Sequence, residues 1–293
     1  MRLKEPMIPG HEFSGYVAET GPGVSGFTLG ELVVISPSRP CGNCRFCDEG
    51  LYNQCLHMRF YGSAMPFPHI QGAFQQELIV DASQCVRAEG LTPGEAAMAE
   101  PFSVGLHATR RAGEMLGKRV LVTGCGPIGA LAVVAARRAG AAEIVVTDLE
   151  ANALQYALLA GADKIINMRD APDGLEPYCA AKGSFDVLYE CSGSPQALAG
   201  AIATLRPRGV ILQMGLGGDM TVPMMQVTAK ELEIRGSFRF HEEFALAVKL
   251  MQAGLVDVKP LISHTLPFEQ AETAFQIASD RSKAMKTQIA FAA

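Results

Sequence analysis

The first third of the chain consists of short apolar runs broken by glycine and proline. "FSGYVAE", "LVVIS" and "QQELIV" are typical of these runs. Their short period matches β-strands with one buried face, and the glycine and proline residues mark the turns between them. From Pro9 to about Arg87, the pattern therefore predicts a twisted or barrel-like antiparallel region.

Near Pro101 the pattern changes to buried strands that alternate with longer helical stretches. The predicted strands are "RVLVTG", "EIVVTD", "FDVLYECSG" and "GVILQMG", and the predicted helices are "PIGALAVVAARRAGA", "ALQYALLAGAD" and "QALAGAIATL". Regular alternation of strand and helix favours right-handed crossovers and a mostly parallel sheet covered on both faces. After Phe240, "EEFALAVKLMQAG" and "EQAETAFQIASD" predict two amphipathic helices, and "KTQIAFAA" predicts a closing strand.

Composition narrows the possible functions. With 293 residues, 48% of them hydrophobic and 19% charged, the chain can form two ordinary globular domains and is not expected to be disordered. A net charge of -5, spread along the chain, argues against nucleic-acid or membrane partners and favours a small-molecule partner. We find no secretory signal and no apolar run long enough to span a bilayer, so a cytoplasmic location is expected.

A cysteine cluster provides the first candidate site. "CGNCRFCDEGLYNQC" spaces Cys41, Cys44, Cys47 and Cys55 as C-x2-C-x2-C-x7-C. Four thiolates suit a closed tetrahedral zinc site, and such a site is structural because it has no open coordination position. An iron–sulfur cluster is the alternative, although Leu56, and not proline, follows the last cysteine.

A glycine-rich turn provides the second candidate site. It lies between a predicted strand and a predicted helix, as G-x-G-x-x-G does in dinucleotide-binding folds. These glycines permit a tight turn, close approach of the pyrophosphate and close helix packing, with the pyrophosphate at the helix N-terminus. The predicted cofactor-binding residues of this turn are Gly124, Gly126, Pro127, Ile128 and Gly129.

Asp148 ends the next predicted strand, about 20 residues after the last of these glycines. A carboxylate there can accept hydrogen bonds from the ribose hydroxyls and would repel a 2'-phosphate. The following "LEANA" contains no arginine or lysine. The sequence therefore favours NAD over NADP.

A third candidate lies in "PGHEFSG", where His11 and Glu12 are adjacent. Histidine and glutamate can both bind zinc. A catalytic zinc, however, takes three protein ligands, and no cysteine precedes His11. A structural histidine is the alternative. The pair is therefore either no metal site or only part of one.

The motifs together resemble the zinc-dependent medium-chain dehydrogenases, the alcohol and polyol dehydrogenase superfamily. "PGHEFSG", "CGNCRFC", "AEPFSVGLHA", "VLVTGCGPIG" and "VKPLISHTLPFEQAETAF" follow the family's order and intervals. The resemblance implies an α/β fold: a Rossmann doubly wound parallel sheet and a β-rich GroES-like catalytic domain. It implies a catalytic domain with a zinc lobe over residues 1–100, an NAD-binding domain over 101–237, and a return to the catalytic domain over 238–293.

The resemblance also implies a catalytic zinc held by His11, by Glu12 and by a cysteine from an N-terminal Gly-x-Cys-Gly-Ser-Asp motif. Glu100, in "AEP", matches a further acidic residue of the polyol branch. The cysteine motif has no counterpart in this sequence. We therefore expect an N-terminally truncated catalytic domain, weak or absent catalytic zinc and very low turnover.

The function implied by the resemblance is NAD-dependent, zinc-assisted hydride transfer between a secondary alcohol and a ketone. The substrate would be a polyol or sugar acid, with L-idonate and 5-keto-gluconate as the leading pair. Arg59 and Arg239 are candidates to bind a substrate carboxylate, because an arginine fork binds a carboxylate bidentately; a salt bridge is the alternative for either.

Two other functions stay open at this point. A cofactor-binding homologue with little turnover is one, and a zinc-free quinone-reductase-like enzyme is the other, disfavoured by the four cysteines. The resemblance further suggests a homodimer or homotetramer paired through strands near "TVPMMQVTAKELEIRG".

Overall fold

A computed structural model describes residues 3–291 of the chain. The chain divides into two compact units. The first unit comprises Met1–Ser103, Arg239–Asp257 and Ala290–Ala293, and the second comprises Val104–Phe238 and Val258–Ile289.

The strands are short in the first unit and longer in the second. In chain order they are β1 (Ser14–Tyr16), β2 (Leu32–Ile35), β3 (Ser38–Arg39), β4 (Arg59–Phe60), β5 (Cys85–Arg87), β6 (Arg119–Thr123), β7 (Glu143–Asp148), β8 (Lys164–Asn167), β9 (Phe185–Glu190), β10 (Leu205–Gln213), β11 (Glu233–Gly236), β12 (Ile262–Pro267) and β13 (Lys286–Ala290).

Several helices begin at the positions that their capping residues predict. Thr92 and Glu95 form a reciprocal capping box at α2, and proline occupies the first turn of α4 and of α6. The helices are α1 (Arg45–Asp48), α2 (Pro93–Ala97), α3 (Ala99–Ala112), α4 (Pro127–Arg138), α5 (Ala151–Leu159), α6 (Pro195–Ile202), α7 (Met224–Ala229), α8 (Glu243–Gln252) and α9 (Ala271–Ser279).

A six-stranded parallel sheet forms the centre of the second unit, in the order β11-β10-β9-β6-β7-β8. Read outward from β6, this is the doubly wound order with its switch point between β6 and β9. Leu121, Val145, Leu188 and Ile211, from four neighbouring strands, are fully buried. The predicted α/β fold with a parallel sheet is therefore confirmed, although β8 was not predicted.

The first unit contains the predicted antiparallel region. β1, β2 and β5 form one antiparallel sheet, and β3 pairs with β4 in a second. The strand predicted in "QQELIV" is wrong: residues 75–80 have no regular structure, and Ile79 is 96% exposed. This segment has the composition of a strand, but it gains neither ladder partners nor a buried face.

The segment "TVPMMQVTAKELEIRG" also differs from its prediction. Met224–Ala229 forms α7, and only Glu233–Gly236 is a strand, β11, at one edge of the parallel sheet. In the compact units, Val258–Ile289 belongs to the second unit with the parallel sheet, whereas the predicted boundaries place it in the returning segment 238–293. Within the second unit this segment packs on α5 and bonds to the end of β7. The predicted domain boundaries stay predictions.

Among the described residues, no helix combines the length and the apolar character that crossing a membrane requires. The cytoplasmic location stays a prediction.

Candidate metal centres and dinucleotide site

The four cysteines of the first candidate site lie together in the first unit. All four sulfur atoms lie within 4.8 Å of one another. The Sγ–Sγ distance is 3.6 Å between Cys44 and Cys47 and 3.5 Å between Cys41 and Cys55. Four thiolates bound to one tetrahedral zinc at about 2.3 Å lie about 3.8 Å apart. The cluster therefore fits one zinc ion, and it is more compact than the thiolates of an iron–sulfur cluster, which bind different iron atoms.

Backbone amides support the charge of the thiolates. The N–H groups of Cys41 and His57 donate to Cys55 Sγ at 3.2 Å and 3.3 Å. Backbone hydrogen bonds from Leu56 and Cys47 lower the pKa of Cys44 to about 6. Desolvation by burial raises the pKa of Cys47 to about 11, so a cation is needed for all the thiols to ionise together.

The third candidate site gathers His11, Glu12 and Glu100. One ligand atom from each lies within 4.8 Å of the other two. Glu100 is buried in the first turn of α3, where the helix dipole favours a carboxylate. A nitrogen and two carboxylate oxygens are donors that zinc accepts, and three protein ligands with one open position are the usual catalytic set. The sequence left the third ligand open, and the structure brings Glu100 to that position.

The backbone before His11 is held by a neighbouring loop. The N–H groups of Ala73 and Phe74 donate to the carbonyl oxygens of Gly10 and Pro9 at 3.0 Å and 3.1 Å. Gly72 approaches this segment so closely that a Cβ there would lie 2.3 Å from Pro9 O. Thus local contacts, and not only the first strand, fix the position of the His-Glu pair.

Phe60 contacts both His11 and Arg239. Its ring lies 5.5 Å from the His11 ring, and the Arg239 guanidinium lies 4.1 Å from its centroid on a cation–π contact. Arg59 precedes Phe60 on β4 and is exposed. Because successive residues of a strand point to opposite faces, Arg59 points away from the side that Phe60 shares with His11 and Arg239. The structure therefore brings Arg239, and not Arg59, to this cluster.

The electrostatic surroundings of Arg239 are unusual for an arginine. Burial lowers the pKa of its guanidinium, and the negative charge of Glu100 opposes that shift. Its φ of 56° places a non-glycine residue in the left-handed region, a conformation that neighbouring structure must stabilise.

The glycine-rich turn of the second unit has the predicted geometry. Gly124 has a φ of +83°, Gly126 caps α4, and Pro127 opens that helix. A Cβ on Gly129 would lie 2.0 Å from Gly124 O, whereas a Cβ on Gly126 would meet nothing within 4 Å. Gly129 is therefore required for packing, and Gly126 leaves an open backbone surface at a helix N-terminus, where a pyrophosphate binds.

Comparisons with known proteins identify the family of this chain. Residues 1–90 match the family model described as alcohol dehydrogenase GroES-like domain, and residues 127–253 match zinc-binding dehydrogenase. Over 291 residues the chain is 42% identical to L-idonate 5-dehydrogenase (NAD(P)(+)) of Escherichia coli K12, covering 99% of the chain and 84% of that protein. The chain belongs to the zinc-binding dehydrogenase family.

Other similarities extend over nearly the whole dehydrogenase. This chain is 36% identical to sorbitol dehydrogenase of Arabidopsis thaliana, and the match covers 97% of this chain and 79% of the relative. The crystal structure of the Escherichia coli L-idonate 5-dehydrogenase superposes with a TM-score of 0.94 over 98% of this chain and 83% of that one. A zinc-binding dehydrogenase from Sinorhizobium meliloti 1021 bound to NADP has a TM-score of 0.88 at 25% identity, covering 100% and 85%.

The predicted family, fold and enzyme class are thus confirmed, and so are zinc and NAD(P) as the cofactors of the family. The missing N-terminal segment stays a prediction, as do the metal and cofactor roles of individual residues.

Asp148 of this zinc-binding dehydrogenase lies at the end of β7, as predicted, and its carboxylate has four donors. Oδ1 accepts from the N–H groups of Leu149 and Glu150 at 2.7 Å and 3.0 Å. Oδ2 accepts from Cys125 N–H at 2.6 Å and from Arg281 Nη2 at 2.7 Å. Arg281 was not among the predicted site residues, because it lies 133 positions from Asp148 and carries no local motif.

Two other residues of the dehydrogenase were missed. Glu190, fully buried at the end of β9, accepts from Ser192 N–H at 2.9 Å and Gln213 Nε2 at 2.7 Å, which holds the loop that touches Gly124. In the first unit, the His241 ring lies 4.2 Å from the Tyr52 ring beside the cysteine cluster. The one sequence feature that pointed to Glu190 was its position at the end of an apolar strand. No feature of the sequence around His241 marked that residue as part of a site.

We predict that Cys44→Ser removes the zinc of the cysteine cluster and lowers the free energy of unfolding by more than about 2 kcal/mol, since structural zinc contributes about 10–16 kcal/mol in peptides. Metal analysis and thermal melting measure this. Cys85→Ser changes a cysteine of the same unit outside the cluster and should keep the zinc. An unchanged melting temperature after zinc loss would contradict the structural role.

We predict that two alanine substitutions in the glycine-rich turn have different effects, one on stability and the other on dinucleotide binding. Gly129→Ala should destabilise the protein by about 1–3 kcal/mol, because its Cβ overlaps Gly124 O. Gly126→Ala should leave the melting temperature unchanged and weaken dinucleotide binding, because the added methyl stands where the pyrophosphate approaches. Calorimetric melting and titration with NADH measure both. Equal loss of stability in the two variants would contradict the different roles.

Proposed function

We propose that the chain is an NAD-dependent dehydrogenase that interconverts a secondary alcohol and a ketone of a polyol or sugar acid. L-idonate and 5-keto-gluconate are the leading pair. The observation that carries this proposal is the convergence of His11, Glu12 and Glu100 within 4.8 Å, the ligand number of an open zinc site. The 42% identity to L-idonate 5-dehydrogenase supports the choice of substrate.

The three side chains would hold the catalytic metal, and its fourth position would be left for substrate. A bound zinc supplies Lewis acidity, which polarises a substrate oxygen and lowers the pKa of its hydroxyl. The protein contributes the geometry: the buried first turn of α3 fixes Glu100, and the loop contacts of Pro9 and Gly10 fix the His-Glu pair. The nucleotide unit contributes the dinucleotide that accepts the hydride.

Arg239 supports a sugar acid over a neutral polyol as the substrate. A sugar acid carries a carboxylate. A partly buried guanidinium beside the candidate metal ligands can bind that carboxylate with two parallel hydrogen bonds. Phe60 holds the guanidinium plane from one side, so its other edge and face have a defined direction. A neutral polyol offers this arginine only hydroxyl acceptors.

The predicted homodimer or homotetramer remains part of this proposal. β11 lies at an edge of the parallel sheet, and an exposed strand edge can pair with a second copy. Met224, Met225 and Ile234 on α7 and β11 are large apolar residues with exposures of 56%, 82% and 45%. Light scattering measures the mass in solution, and a monomer would remove this part of the proposal.

The main test is zinc content together with NADH formation from L-idonate. The sequence alone led us to expect weak or absent catalytic zinc and very low turnover. The convergence of His11, Glu12 and Glu100 supports a filled catalytic site instead, so we expect about two zinc ions per chain and chelator-sensitive oxidation of L-idonate. Glu100→Gln should keep one zinc and dinucleotide binding while it lowers kcat/KM by at least about 100-fold, because it removes a metal ligand. One zinc per wild-type chain and no turnover would instead support the cofactor-binding homologue.

We predict that Arg239→Gln raises the KM for L-idonate by about tenfold or more, since a hydrogen bond to a charged group contributes about 1.5–3 kcal/mol. The KM for neutral sorbitol should change much less, and Arg239→Lys should restore part of the idonate affinity. Arg59→Gln is the matched control and should leave both values unchanged. Equal losses with idonate and sorbitol would show that Arg239 does not recognise the carboxylate.

A further inference from the structure

The ion pair between Asp148 and Arg281 lies in the dinucleotide site. An ionised carboxylate offers about four acceptor positions. At Asp148, backbone N–H groups occupy three of them, and Arg281 Nη2 occupies the fourth at 2.7 Å. A ribose hydroxyl can therefore bind this carboxylate only by displacing or sharing one of these donors.

Arg281 is the donor that can leave. The three backbone donors belong to the phosphate-binding turn and to the chain after β7, so they move only if the fold changes. The Arg281 side chain is 54% exposed, whereas the Asp148 side chain is 3% exposed. Partly exposed ion pairs are weak, so a ligand hydroxyl can replace the guanidinium on Oδ2.

A pocket of about 360 Å³ adjoins this ion pair and is lined by Glu150, Ser279, Asp280, Arg281 and Ser282. Its two acidic residues have cations of their own. Glu150 pairs with Arg169 at 2.7 Å, and Asp280 pairs with Lys283 at 2.8 Å. Hydrogen bonds from Lys283 and Ser282 lower the pKa of Asp280 to about 2, so it is ionised and already satisfied at neutral pH.

This arrangement neutralises the site that a 2'-phosphate would otherwise avoid. Asp148 alone would repel the phosphate of NADP. With Arg281 on Oδ2, the carboxylate is paired, and the guanidinium keeps further N–H donors for a second anion. Arginine is suited to this role because its planar fork binds phosphate oxygens bidentately.

We propose that Arg281 determines cofactor selectivity and lets the enzyme bind both NADP and NAD. With NADP, Arg281 stays beside Asp148 and binds the 2'-phosphate. With NAD, it leaves Oδ2, and the ribose hydroxyls donate to Asp148 in its place. This inference rests on the dinucleotide role in the proposed function, and it departs from the expectation that the absence of arginine and lysine after Asp148 favours NAD over NADP.

The test measures binding of NADH and NADPH by the full chain without substrate, using isothermal titration calorimetry. We expect the wild type to bind both dinucleotides with similar Kd. Arg281→Gln should weaken NADPH binding about tenfold or more, and NADH binding should stay the same or become tighter. Arg281→Lys should retain part of the NADPH affinity.

Arg206→Gln is the matched control. Arg206 is also about half exposed and lies 2.6 Å from a largely buried carboxylate, Asp186, at the other end of the sheet. It should change neither Kd, and thermal melting will show whether each variant is folded. Asp148→Ala should weaken NADH binding and spare NADPH binding.

Two results would overturn the proposal: equal effects of Arg281→Gln on NADH and NADPH, or no measurable NADPH binding by the wild type. Both results concern binding alone. A failure to oxidise L-idonate would overturn the proposed function and leave these measurements intact.

Discussion

The first unit depends on the close packing of four thiols. The buried residues of the lobe over residues 41–58 are three of its cysteines, with Cys41, Phe46, Tyr52 and Met58 packed around them. A segment with so little apolar volume cannot form a hydrophobic core, and an ion held by the four thiolates would take the place of one. Such an ion would fix the lobe and the start of the strand that follows it.

The candidate catalytic cluster depends on that lobe through aromatic contacts. β4 begins directly after the lobe and presents Phe60 to both His11 and Arg239. Tyr52, within the lobe, packs against His241, two residues after Arg239. A metal held by the four cysteines would therefore have an indirect role in the proposed chemistry, because losing it would release Phe60, which contacts both His11 and Arg239.

The sequence allowed prediction of those features that local chemistry determines. The cysteine spacing, the glycine turn and the aspartate at the end of β7 are local patterns. Each lies at the position that the hydrophobic periodicity of the neighbouring residues predicts. Long-range partners could not be predicted, because Arg281 and Asp148 are 133 positions apart and Arg281 lies in an irregular stretch. The strand expected in "QQELIV" failed for the same reason, since a strand requires partners that its own sequence does not specify.

Two arginines from the last fifth of the chain have the same electrostatic relation to a carboxylate. Arg239 interacts with Glu100, and Arg281 pairs with Asp148. In each case a carboxylate with a proposed role in binding metal or ribose lies near a cation that compensates its charge. An anionic ligand group, such as a substrate carboxylate or a 2'-phosphate, meets that cation instead of the bare carboxylate.

The discrimination between charged and neutral ligands thus depends on how strongly each protein carboxylate holds its arginine. That strength increases with burial, because a less exposed pair is screened less by water. Arg239 is half-buried, whereas the Arg281 side chain is 54% exposed, so we expect Arg239 to be the more fixed of the two and Arg281 the more mobile.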